Sequence, residues 1–145
     1  MGDASEFAQV EAGSETVLEE LRRLEPIFHT AEFGTTVAEF DRRMAAEYWE
    51  VGASGRRYSR EFILRTLEEM PPVDAAAAGW TCSEFGLRAM GADTWLLTYT
   101  LDQGGRATRR STLWGKTEGR WRILFHQGTV VTGGEGFGSP GPARV

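Results

Sequence analysis

The chain has 145 residues, 41% of them hydrophobic and 26% charged, with a formal net charge of −5. These are globular averages, and the length is that of one ordinary domain, able to bury about two-thirds of the surface its unfolded chain would expose. The acidic balance argues against nucleic acid or an anionic membrane as a partner, the single cysteine, Cys82, excludes an intrachain disulfide and a cysteine-built zinc site, and no apolar run approaches the ~20 residues of a membrane span.

The N-terminal stretch MGDASEFAQVEAG is acidic and has no apolar signal-peptide segment, so a cytoplasmic protein is expected, with residues 1–14 as a flexible leader. Thr16 and Glu19 have capping-box spacing and are expected to open a first helix. Leu18, Leu21, Leu24 and Phe28 fall on one stripe of it, and His29 is placed at its end. A second box, Thr36 with Glu39, opens a shorter helix with Val37, Phe40 and Met44 as its apolar stripe. Glu47 to Gly52 is aromatic-rich and short, which reads as a strand turned back at Ser54-Gly55. Ser59 caps a third helix carrying Phe62, Ile63, Leu67 and Met70, stopped by Pro71-Pro72. Ala75–Ala78 connects it onward.

From Trp80 the hydrophobic period becomes 2. Four strands are expected over about 80–90, 94–102, 106–117 and 120–131, with turns at Gly91-Ala92-Asp93, Gln103-Gly104-Gly105 and Glu118-Gly119. The Gly/Pro-rich residues 132–145 read as a disordered tail, leaving a single domain over 15–131. Three helices in the first half and an antiparallel sheet in the second make an α+β fold in which the helices cover one face of the sheet.

The turns permit an explicit register. A two-residue loop at Glu118-Gly119 sets Lys116 opposite Trp121, Trp114 opposite Ile123, Thr112 opposite Phe125 and Arg110 opposite Gln127. A loop at Gly104-Gly105 sets Trp95 opposite Trp114, Leu97 opposite Thr112 and Tyr99 opposite Arg110. Opposed residues share a face. One face then carries Trp95, Leu97, Trp114, Trp121, Ile123 and Phe125 and ends in the polar row Tyr99, Arg110 and Gln127. The other carries His126 and a leucine strip, Leu96, Leu113 and Leu124, suited to a second subunit. A one-residue slip or a bulge would exchange the faces and bring His126 in.

The set Glu50-Val51-Gly52-Ala53-Ser54-Gly55, Leu97-Thr98-Tyr99, Arg110-Ser111-Thr112-Leu113-Trp114 and Trp121 through Thr129 resembles the nuclear transport factor 2-like superfamily, which includes ketosteroid isomerase and the SnoaL-like cyclases. The likeness spans about residues 15–131 and is nearest to a bacterial branch known as a domain of unknown function. It implies a cone-shaped, strongly curved antiparallel sheet packed on three N-terminal-half helices and enclosing a pocket, and a homodimer. It also implies a catalytic carboxylate at or beside Glu50. The isomerase's oxyanion-stabilising acid and first-helix tyrosine have no counterpart, which argues against steroid isomerisation.

The residues read the same way on chemical grounds. Glu50 lies among Tyr48, Trp49 and Val51, where burial would raise its pKa toward that of a general base. An apolar wall closed by a few polar groups is the composition of a ligand pocket, so Tyr99, Arg110, Trp114, Gln127 and His126 are candidate ligand contacts. Competing readings are an Arg110 at the sheet rim, an ion-paired Glu50 and a structural or interfacial His126. No metal or cofactor is expected, since the two histidines are far apart in sequence and lack ligand spacing. The expected function is binding of a small apolar molecule with a carbonyl group, with acid–base chemistry of the isomerase, cyclase or dehydratase type. The alternative is a non-catalytic dimeric ligand-sensing or protein-interaction module. The arginines of the last hairpin, Arg106, Arg109, Arg110, Arg120 and Arg122, leave nucleic acid as a third, weaker reading.

Overall fold

The computed structural model of the chain describes residues 14–25, 36–69 and 77–132. The expected leader up to residue 13, Phe28, His29, the Gly34 break, Met70, the Pro71-Pro72 stop, the start of the alanine connector and the tail from 133 onward lie outside them. The elements run α1 (Glu15–Leu24), α2 (Val37–Arg43), β1 (Met44–Val51), β2 (Arg57–Ser59), α3 (Arg60–Glu69), β3 (Trp80–Ala89), β4 (Thr94–Gln103), β5 (Ala107–Thr117) and β6 (Arg120–Val130).

Local chemistry explains most boundaries. Thr36 Oγ1 accepts the Glu39 N–H at 3.1 Å and Ser59 Oγ accepts the Phe62 N–H at 3.1 Å, so both expected caps form. The first cap falls elsewhere: Ser14, not Thr16, precedes α1, and its side chain makes no capping bond. Helix α1 ends at Leu24 because Glu25 precedes Pro26, and a pre-proline residue is pushed to extended backbone, here φ −101° and ψ 148°. Helix α2 stops before Met44, which becomes the first residue of β1 rather than the last of a helical stripe. The two-residue turns form where expected, with positive φ at Glu118 and Gly119 (52° and 76°) and at Gly104 and Gly105 (68° and 99°).

The six strands form one curved sheet in the order β2-β1-β6-β5-β4-β3. The sheet is mixed, which corrects the expected all-antiparallel pattern: β1 runs parallel to β6, reached through the long crossover of α3 to β5. The three-residue β2, too short for a periodic sequence signature, pairs with β1 at the edge.

Registers in the meander follow the turns until Leu113. Trp95 opposes Trp114, Leu97 opposes Thr112, Tyr99 opposes Arg110, Lys116 opposes Trp121 and Trp114 opposes Ile123, all as expected. Then Leu113 opposes Phe125, so Leu124 is an extra residue in β6. Its side chain packs over Gly115, where a Cβ would lie in ordinary contact, 3.4 Å from Leu124 Cδ1. Every later pair shifts by one. Thr112 faces His126, Ser111 faces Gln127 and Arg110 faces Gly128, in place of Thr112 with Phe125 and Arg110 with Gln127.

The helices cover one face of this sheet. The buried core joins Leu21 and Leu24 of α1, Phe40, Ile63 and Leu67 to Met44, Tyr48, Phe85, Leu87, Leu97, Tyr99, Leu101, Trp114, Trp121 and Ile123. A second bulge in β3 puts Glu84 at φ 57° and brings Phe85 to stack on Tyr99, ring centroids 5.3 Å apart. Arg22 of α1 lies over Phe85, and Trp121 donates to Glu20, so α1 is tied to both β3 and β6. Among the described residues no helix is long and apolar enough to cross a membrane.

Candidate functional site

The bulge at Leu124 decides the site. With one residue added, Phe125 turns to the outer face, where it meets Trp49 edge-on at 4.8 Å, and His126 turns beneath the helices. His126 is 5% exposed, whereas Gln127 is exposed on the far side. The expected row Tyr99, Arg110 and Gln127 is therefore corrected to Tyr99, Arg110 and Gly128, with His126 one step along beside Thr112.

Hydrogen bonds join these groups into a chain with a fixed direction. Arg110 Nε donates to Thr108 Oγ1 at 2.9 Å, and Thr108 in turn donates to the Leu101 carbonyl. Arg110 Nη1 lies 3.2 Å from His126 Nε2. A guanidinium has no acceptor, so Nε2 accepts and the neutral imidazole carries its proton on Nδ1. Nδ1–H then donates to Thr112 Oγ1 at 2.8 Å, and the Thr112 hydroxyl donates to Glu25 Oε1 at 2.9 Å. The other Glu25 oxygen accepts the Tyr99 hydroxyl at 2.5 Å. Thr112 is fully buried and Glu25 nearly so, in low dielectric, where each satisfied bond matters more.

Glu50 comes to the same place from β1. It pairs with His126 across the parallel β1–β6 ladder. Its Oε1 accepts the Tyr48 hydroxyl at 2.5 Å. Burial raises the Glu50 pKa above the usual carboxylate value, while the Tyr48 hydrogen bond and the charge of Arg110 pull it down. The hydroxyls of Tyr48 and Tyr99 are both harder to ionise than a free phenol, first because they are buried. The charges of Glu50 and Glu25 add to the effect at Tyr48, and that of Glu25 at Tyr99. Cys82 borders the cluster, its thiol pushed up to about 11 by burial and by the charge of Glu25, against Arg110 and Arg22.

The residues singled out from sequence thus divide. Glu50, Tyr99, Arg110 and His126 converge; Gln127 does not. Trp114 is fully enclosed in the core against Trp121. Tyr99 commits its hydroxyl to Glu25, and His126 commits Nε2 to Arg110, so neither has its reactive atom turned to a visitor. Arg110 and Glu50 are the two half-buried ionisable groups of the cluster. Sequence reading missed Glu25, Tyr48, Thr108 and Thr112. The clue to Glu25 was the proline that follows it in sequence, since a pre-proline residue leaves the helix. Among the described residues no group of His, Cys, Asp and Glu is arranged to hold a metal ion.

No protein-family model matches the sequence, and no curated protein matches it. Solved structures do match in shape. An NTF2-like protein from Cytophaga hutchinsonii aligns at a TM-score of 0.60 with 11% identity, over 83% of this chain and 100% of that one. A protein of unknown function from the DUF3225 family of Pectobacterium atrosepticum aligns at 0.61 with 20% identity, over 84% and 94%. The association domain of CaMKII from C. elegans aligns at 0.58 with 14% identity, over 81% and 95%. The chain has the nuclear transport factor 2-like fold. At these identities the likeness is one of fold, and this fold hosts unrelated functions.

Proposed function

We propose that the helix-covered face of the sheet binds a small, largely apolar carbonyl compound and that Glu50 acts on it as a general base. One observation carries this reading: the β1–β6 ladder sets the raised-pKa carboxyl of Glu50 beside His126 and near Arg110, on a face that also carries Tyr48, Leu97, Trp114 and Ile123. A carboxylate with a raised pKa takes a proton more readily near neutral pH. A guanidinium nearby would stabilise the oxyanion left on the carbonyl. In this scheme Arg110 alone performs that task, and Tyr99 with Glu25 serves to hold the scaffold. Isomerase, cyclase and dehydratase chemistries share this step. The test is a screen of carbonyl compounds against the wild-type chain and Glu50→Gln. Turnover that survives in Glu50→Gln would rule out the mechanism.

A second reading, a non-catalytic dimeric module, draws on the outer face. Trp49, 44% exposed, packs on Phe125 beside Leu96 and Leu113, an apolar strip on a solvent face. That one similar structure is an association domain supports self-association through this strip. Light scattering at micromolar concentration checks it; a monomer there would count against the homodimer. Both readings fit a cytoplasmic protein.

A further inference from the structure

Within the cluster, and among the described residues, Arg110 has incomplete bonding. Its Nε and Nη1 are held by Thr108 and His126, and both partners lie in the buried β5–β6 ladder. The rest of the fork, Nη2 included, has no acceptor among the described residues, and Arg110 makes no ion pair there. Two carboxylates lie close enough to matter, yet each is engaged elsewhere: Glu25 by Tyr99 and Thr112, Glu50 by Tyr48. Among the described residues the site thus holds a half-buried cation in a fixed orientation with one edge open. Its orientation is enforced from below, because Gly128 leaves the space that the guanidinium fills; a Cβ at that position would lie 3.3 Å from Arg110 Cζ.

We propose that the open edge of Arg110 is the docking point for the carboxylate of a small organic acid. The proposal rests on the ligand site described above and names the class of its occupant. A planar guanidinium edge matches a planar carboxylate in a two-point contact. A dianion such as a phosphate monoester costs more to take out of water at a half-buried site than a carboxylate does, which favours the singly charged anion. The Arg110–His126–Thr112–Glu25 chain holds the fork rigid, so little order is lost when the acid binds.

The experiment titrates butyrate, pentanoate and hexanoate into the wild-type chain by calorimetry, alongside the matching primary amides and n-butyl phosphate. The expected result is that each acid binds at least about tenfold more tightly than its amide, a difference that Arg110→Met removes and Arg110→Lys partly keeps. The His126 Nε2 resonance should move with the acid and stay in place with the amide. Equal affinity for acid and amide in the wild-type chain would overturn the proposal and leave the carbonyl-compound site standing. Butyl phosphate binding more tightly than butyrate would overturn the assignment to carboxylates. Failure of every probe to bind would remove both the proposal and the site it rests on. The wild-type comparison needs no variant, and melting curves establish that the Arg110 variants fold.

Discussion

Arg110 and Gly128 face each other across β5 and β6, and the guanidinium occupies the space a side chain at 128 would need. A glycine in a strand interior weakens the strand, so its place here follows from what lies over it. Arg110 is cross-braced by Thr108 and His126, so it has little freedom to swing aside.

Gly128→Ala should therefore displace the guanidinium while the sheet survives. Overpacking of this kind costs about 1–3 kcal/mol. The readout is the Arg110 Nε–H resonance together with the His126 ring resonances. Both should shift in Gly128→Ala, and an unchanged pair would show that the guanidinium does not rest on Gly128.

Thr112 is the single hydroxyl between Glu25 and His126, and Thr112→Val keeps its shape while removing that hydroxyl. Two buried partners then lose a bond, at about 1–3 kcal/mol for each. Urea denaturation should show Thr112→Val destabilised by at least about 2 kcal/mol, with Thr112→Ser closer to wild type. A neutral Thr112→Val would mean that the Arg110–His126–Thr112–Glu25 chain carries no stability.

Glu50 predicts a pH dependence. Its folded pKa is raised by burial above the ordinary 4.5, and the unfolded chain keeps the ordinary value. As pH rises the unfolded state loses its proton first, so the contribution of Glu50 is full below about 4.5 and is lost as pH climbs through the raised folded value. Glu50→Gln has no proton to lose. Its stability relative to wild type should improve from about pH 4 to about pH 8 in urea titrations. A difference that stays flat would mean Glu50 ionises as it does in water.

Cys82 should be a slow nucleophile. Raising its pKa from 9.0 to about 11 leaves about a hundredfold less thiolate at neutral pH than the unshifted thiol has. Iodoacetamide labelling of the folded chain, followed by mass spectrometry, should be slower by about that factor than labelling in denaturant. Equal rates would place the thiol in open solvent.

Much of the architecture was legible locally. Turn glycines and capping residues marked the four-strand meander to within about a residue, because such positions depend on φ preferences and short-range hydrogen bonds. The first half is less local in its determinants. Met44 looked like the next residue of a helical stripe, yet burial under the helices drew it into β1 against Ile123. Of the candidate site, Glu50 and Arg110 were found from their chemistry and position along the strands. Glu25 was not, since its partners Tyr99 and Thr112 lie 74 and 87 residues away.

The hairpin of β5 and β6 separates the two kinds of information most clearly. The hairpin, its turn at Glu118-Gly119 and the pairs up to Trp114 with Ile123 follow from local residues, because a two-residue loop fixes register by geometry alone. Which of His126 and Gln127 lies under the helices depends on contacts from distant parts of the chain. In Ile123-Leu124-Phe125, three apolar residues in a row, alternation no longer says which one faces in. Packing settles it: Trp49 receives Phe125 on the outer face, and Thr112 with Glu25 receives His126 within. Those partners come from three separate parts of the chain, so no local pattern in β6 could have named them.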